Sequence, residues 1–182
     1  MGTRGLVGIK IGRTKKYTYN HFDSYPSGLG KEVVEFCHSI TKADAWEAFK
    51  EKAKAVKMVK QDDIPSGANM AAYLKYHNGN VSSGEITEWY SLLREVQGVN
   101  TLIEIASGNL KHLIDNKEFI KDSLFCEYAY VINLTTMKLE MYEGFQKKGK
   151  GYGSCKKVAE FPLTDIPEDW ETKAFPKDED DE

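Results

Sequence analysis

Val7-Gly8-Ile9-Lys10-Ile11-Gly12-Arg13-Thr14-Lys15 places an apolar residue at every second position and then breaks into a turn. Alternation with period two is the signature of a strand with one buried face. The turn at Gly12-Arg13-Thr14-Lys15 sends the chain back as a second strand over about 16–23. That strand ends in Ser24-Tyr25-Pro26-Ser27-Gly28-Leu29-Gly30, a dense cluster of turn formers. A second hairpin lies far downstream. Cys126, Tyr128, Tyr130 and Ile132 alternate with Glu127, Ala129, Val131 and Asn133, and Thr135-Thr136 turns the chain into a return strand at 138–143. A further short strand is expected at 158–161.

Helical spacing fills the middle. Val33, Phe36, Cys37 and Ile40 recur at i, i+3, i+4, i+7. Thr41 with Asp44 resembles a capping box, and the next helix presents Trp46, Phe49, Ala53 and Val56 on one face. A short helix is expected over 69–76, then a loop at 77–84. The strongest helical stripe is Trp89, Leu92, Leu93 and Val96, stopped by Gly98. Shorter helices are expected at 99–106, 109–115 and 117–122. The pattern predicts an α+β fold: one antiparallel sheet formed by the N- and C-terminal hairpins, with the helical middle section packed on it. It is read as one domain over 1–175 followed by an acidic disordered tail at 176–182.

Composition narrows the function. The chain has 182 residues, 41% hydrophobic and 12% aromatic, enough to build a core. With 25 basic and 28 acidic residues the net charge is -3, which argues against nucleic acid as a partner. Cys37, Cys126 and Cys155 are odd in number and widely spaced, with no zinc or disulfide pattern. Reduced thiols in a cytoplasmic, soluble protein are the expectation. No apolar run is long enough to span a membrane. The apolar stretch 6–11, broken by Gly8 and Lys10, is no signal peptide, and Leu6 stands where a myristoylation motif wants Ser or Thr. No metal or cofactor is implied, and oligomeric state is left open.

The best candidate site is Tyr17-Thr18-Tyr19-Asn20-His21-Phe22-Asp23-Ser24-Tyr25. On a strand, Tyr19, His21 and Asp23 share a face. Histidine and carboxylate on one face suit proton sharing, with Arg4 on the neighbouring strand, whereas Asp23 closing the following turn is the structural alternative. Gly28 and Gly30, leading through Lys31 into a helix, suggest free amides for an anion. Glu32 follows Lys31, so this is no P-loop. Cys37 and Cys126 read as core thiols, and Cys155 lies in a basic loop. That loop, 147–157, carries five lysines and Tyr152 and reads as solvated, with anion or single-stranded RNA binding as the alternative.

Met1-Gly2-Thr3-Arg4, followed by His21-Phe22-Asp23-Ser24-Tyr25-Pro26, resembles a family of small uncharacterised proteins of microbial eukaryotes and, more distantly, phage and bacterial proteins. They share an M-x-T-R start and an H-[WF]-D-x-Y-P segment. Glu88-Trp89-Tyr90-Ser91-Leu92-Leu93-Arg94 and the strand from Cys126 to Leu134 are similar to that family as well. The resemblance implies no particular activity. A weaker likeness is to N-terminal-nucleophile hydrolases, although Gly2 offers no nucleophile. Two functions are therefore expected beside a third reading, a purely structural or interaction protein in which the motif fixes a turn and the tail keeps the chain soluble. The first is a binding or regulatory domain that recognises a polar small molecule or a peptide through Arg4, Tyr19, His21, Asp23 and Tyr25 with the Gly28, Gly30 and Lys31 turn. The alternative is a hydrolase with His21 and Asp23 as acid and base and water as nucleophile.

Overall fold

The computed structural model of the protein describes residues 2–78 and 85–177. The expected loop at 77–84 lies partly, and the acidic tail mostly, outside the described residues. Strand β1 (Gly5–Ile11) and β2 (Thr14–Asn20) form the expected N-terminal hairpin, with Ile11 opposite Thr14 across Gly12-Arg13. Gly12 supplies the positive φ, +60°, that so tight a connection needs. The hairpin β5 (Tyr128–Asn133) and β6 (Lys138–Glu143) also forms, and β9 (Lys156–Pro162) pairs with β6.

The five-stranded sheet runs β2-β1-β5-β6-β9. It is not purely antiparallel, as the sequence had suggested: β1 and β5 lie parallel, with Val7 beside Tyr130 and Ile9 beside Ile132. A parallel pair needs a crossover, and the helical middle section supplies it. The cause is visible in β5, where Ala129, Tyr130, Val131 and Ile132 are all fully buried. A strand covered on both faces belongs at the centre of the sheet, not at its rim.

The main core lies between the sheet and the helices. Val7, Ile9, Tyr130, Ile132, Leu139 and Met141 meet α1 (Lys31–Lys42), α2 (Trp46–Ala55) and α5 (Val99–Ala106) through Val33, Cys37, Phe49, Leu102 and Ile105. The opposite face carries a smaller cluster of Leu6, Tyr17, Cys126, Ala129 and Val131, covered by Phe119, Ile120, Tyr142 and Cys155.

Lys16 occupies the helix-facing side of β2 and is only 6% exposed. Its ammonium donates to the carbonyls of Ala53, Lys54 and Val56 at 2.7, 2.9 and 2.6 Å. Those acceptors lie at and just past the end of α2, where helical amides run out and a cation is favoured by the helix dipole; among the described residues, only Ala53 O of the three also takes an amide, that of Val56 at 3.3 Å.

Several expected helices take other forms. The 109–115 segment contains strand β4 (His112–Ile114), which pairs in parallel with β3 (Lys57–Val59) as Met58 faces Leu113. The 69–76 segment splits into α3 (Gly67–Ala72) and a 3-10 turn at Leu74–Tyr76. The stripe at 89–96 is buried as expected at Trp89, Leu92, Leu93 and Val96, but only Trp89–Leu92, α4, is helical. Thr41 and Asp44 form no capping box. Thr41 is still inside α1, where its hydroxyl accepts from Trp46 Nε1 at 2.9 Å and donates to Leu163 O at 3.0 Å, while Asp44 turns the chain at φ +51°. The 147–157 loop folds into a small exposed hairpin of β7 (Lys147–Lys148) and β8 (Gly151–Tyr152), and α6 (Trp170–Ala174) follows β9.

Candidate functional site

Strand β2 stops at Asn20 rather than at 23, and this decides where the candidate residues go. The Asn20 side-chain amide donates to Phe22 O at 2.5 Å and to Ser24 Oγ at 2.8 Å, folding the chain over itself. Asp23 then adopts φ +53°, a left-handed conformation that Asp and Asn tolerate better than most residues. Tyr19, His21 and Asp23 therefore do not share a strand face. His21 Nδ1 is bonded to Tyr19 Oη at 2.8 Å, whereas Asp23 Oδ1 accepts from Tyr25 Oη at 2.9 Å. Neither a hydrogen bond nor an ion pair joins His21 to Asp23.

The glycine turn is a packing device. The π-type turn Pro26–Gly30 runs directly into α1. The amides of Gly28 and Gly30 donate to Tyr25 O and that of Leu29 to Asp23 O, at 3.0, 3.4 and 2.8 Å, and the Lys31 amide is taken by turn carbonyls. None of these amides is left for an anion. A Cβ on Gly28 would lie 2.3 Å from Asp23 O, and one on Gly30 would lie 2.9 Å from Tyr130 Oη. Tyr130 is fully buried and donates to Ser24 O at 3.0 Å, tying the corner to the central strand. The Lys31 ammonium points to solvent beside Glu35, 3.9 Å away. Arg4 stacks its guanidinium 4.7 Å above the Phe125 ring.

The other side of Tyr19 opens into a cavity of about 270 Å³. Leu93, Val96, Leu113, Ile114 and Phe119 give it apolar walls, and Thr18, Tyr19, Gln61, Arg94, Gln97 and Asn116 bring polar groups to it. Tyr90 completes the lining, with the Arg94 guanidinium 5.5 Å from its ring centre. Phe119 meets the Tyr19 ring edge-on at 5.2 Å. The segment carrying Asn116 is clamped to the edge of β2: its amide donates to Tyr17 O at 2.9 Å, and its side-chain oxygen accepts from Tyr19 N at 3.1 Å. Gln97 Oε1 accepts from His21 N at 3.0 Å, which links the histidine to the same wall.

Arg94 is the unbalanced group. Its Nε is buried without a hydrogen-bond partner, and the side chain makes no ion pair among the described residues. Arg94 and Gln97 also line a neighbouring depression with Asn20, His21 and Phe22. Desolvation lowers the His21 pKa from its ordinary 6.5, and the positive charges of Arg94 and Arg4 lower it further. Desolvation raises that of Tyr19, with the two arginines opposing. The Tyr19–His21 pair is thus neutral near pH 7 and sits in a positive field.

Sequence reasoning found Tyr19 and His21 but missed Arg94, Tyr90 and Gln97. The signal was present: 90, 94 and 97 fall at i, i+4, i+7, on the side of the 89–96 segment that its apolar stripe leaves polar. The remaining candidates are accounted for locally. Cys37 is fully buried, and burial raises its pKa. His112 is bonded to Tyr73 Oη at 2.7 Å and stacked on Trp89. No protein-family model, curated protein or solved structure matches the chain.

Proposed function

We propose that the protein is a binding domain for a small organic anion with an apolar body, taken in the cavity between β2, β4 and the segment after α4. The reading rests on Arg94, which lines that cavity, makes no ion pair among the described residues and keeps a buried Nε without a hydrogen-bond partner. Buried donors are nearly always satisfied, and a guanidinium pairs best with a carboxylate or phosphate. Five apolar side chains around it favour a hydrophobic body over a fully polar one. The volume is at the lower end for ligand sites and suits a single substituted ring. Compared with the sequence reading, Tyr19 lines the site, His21 stands beside it in the neighbouring depression, Arg4 contributes through its field, and Asp23, Gly28 and Gly30 serve the adjoining turn. A binder is favoured over a hydrolase because the His21 imidazole is bonded to a phenol and not to a carboxylate.

Thermal unfolding with benzoate, phenyl phosphate and neutral benzamide tests this. At ten times Kd a ligand stabilises the folded state by about 1.4 kcal/mol, which raises Tm by roughly 3–6 °C for a chain of this size. The two anions are expected to raise Tm and benzamide to leave it unchanged, and Arg94→Gln is expected to remove the response. An equal response to benzamide, no response to either anion, or an undiminished response in Arg94→Gln would reject the reading.

A further inference from the structure

A second site lies on the opposite face of the sheet, where two of the three cysteines meet. Cys126 is fully buried just ahead of β5, and Cys155 stands just before β9. The Cys155 thiol donates to the carbonyl oxygen of Cys126 at 3.2 Å, and the Cys126 thiol donates to Tyr128 O at 3.7 Å. Both belong to the same apolar cluster with Leu6 and Val131. The surrounding backbone is already fixed: Cys155 N donates to Ile120 O at 2.9 Å, and Ser123 N donates to Gly153 O at 3.0 Å. These backbone bonds hold the segment carrying Cys155 directly against the one carrying Cys126.

The two thiols are not equivalent. Cys155 is partly exposed and lines a cavity of about 290 Å³ together with Lys15, Tyr17, Lys121, Tyr142 and Ser154. Cys126 has no such access. The neighbouring Cys126 side chain lowers the Cys155 pKa, while Cys155 and burial raise that of Cys126. An accessible, more acidic thiol backed by a buried one is the arrangement of an attacking and a resolving cysteine.

We propose that Cys155 and Cys126 form a thiol–disulfide exchange pair that reacts with small organic disulfides of the glutathione type. The Cys155 thiolate attacks one sulfur of the small disulfide, forming a mixed disulfide and releasing one thiol. Cys126 then gives up its proton and attacks the Cys155 sulfur, which forms the internal disulfide and releases the second thiol. The protein loses two protons and two electrons, the two leaving thiolates take up the protons, and the small disulfide is reduced to two thiols.

The test uses the reduced full chain, exposed to oxidised glutathione under native conditions, then alkylated and mapped by peptide mass. Wild type is expected to show a Cys126–Cys155 linkage with no retained glutathione and an unmodified Cys37, and dithiothreitol is expected to restore both thiols. Cys126→Ser is expected to hold glutathione on Cys155, and Cys155→Ser to show no adduct on Cys126. Because Cys126 is buried and its variant can fail to fold, the wild-type map and Cys155→Ser suffice by themselves. Glutathione retained on wild-type Cys155, three free thiols after exposure, or an adduct on Cys126 in Cys155→Ser would each overturn the proposal.

Discussion

Replacing Lys16 with Met removes a buried ammonium while keeping most of the side-chain volume. Three acceptors lose their donor: the carbonyls of Ala53, Lys54 and Val56, now 2.6–2.9 Å from Nζ. Ala53 O keeps a long bond from the Val56 amide at 3.3 Å, so the loss falls chiefly on the other two. A buried acceptor left unpaired costs about 1–3 kcal/mol, so two give roughly 2–6 kcal/mol. Against this stands the desolvation of the ammonium, which lowers the Lys16 pKa in the native state and is relieved by the substitution. A net loss of about 2–4 kcal/mol results, equivalent to a fall in Tm of roughly 4–16 °C. Calorimetry on Lys16→Met reads it directly, with Lys15→Met, on the exposed side of the hairpin, as control. Hydrogen exchange is expected to rise in the last turn of α2 and not in α1. A Tm within about 2 °C of wild type would mean that water replaces the ammonium, and the argument for Lys16 as a cap on α2 would be lost.

Two further outcomes follow from the Asp23 corner and from His21. Asp23→Gly is expected to hold or raise Tm because glycine adopts φ +53° freely, whereas Asp23→Ala is expected to lose about 1 kcal/mol, or 2–4 °C. Equal melting of the two variants would show that the backbone conformation is not what selects the residue. The His21 ring is expected to titrate below 6.5 by NMR, and its midpoint to rise in Arg94→Gln as one positive charge leaves. Since the folded chain binds that proton more weakly than the unfolded chain, this group's contribution to stability is lost as pH falls below 6.5 through the folded pKa. A wild-type midpoint at or above 6.5 would contradict the positive field around the cavity.

Both hairpins were legible because each announces itself locally, through alternation at Val7, Ile9 and Ile11 and again along Tyr128, Tyr130 and Ile132. How the two hairpins join was not, since nothing in either one says which edges meet or in which direction. Complete burial of Ala129 and Val131 on the second face of β5 was the available clue, and it reads equally well as ordinary alternation in a hairpin. Strands β3 and β4 have three residues each, too few for any period to show. At 89–96 the pattern gave burial correctly and conformation only in part: a stripe reports which side chains go inside, and here successive turns deliver them after a single turn of helix. The same segment hid the cavity. Tyr90, Arg94 and Gln97 look like the solvated side of an amphipathic helix until β2 and β4 are placed over them. At the Asp23 corner, Tyr19 and His21 were found by chemistry, but their separation from Asp23 depended on where β2 ended, which Asn20 sets through its side chain.

The parallel junction of the sheet has a consequence for the chain as it is made. The Arg4 amide binds the Glu127 carboxylate at a separation of 123 positions, and Glu127 N returns to Arg4 O. During synthesis at about 5–20 residues per second, the first hairpin waits roughly 6–25 s for its central neighbour to be made. Throughout that interval the edge of β1 that β5 later takes is unpaired, an open template for any other extended chain. Lys10, Arg13, Lys15 and Lys16 all lie on that waiting hairpin, and their mutual repulsion discourages two nascent copies from pairing with each other before Tyr128 to Asn133 arrive.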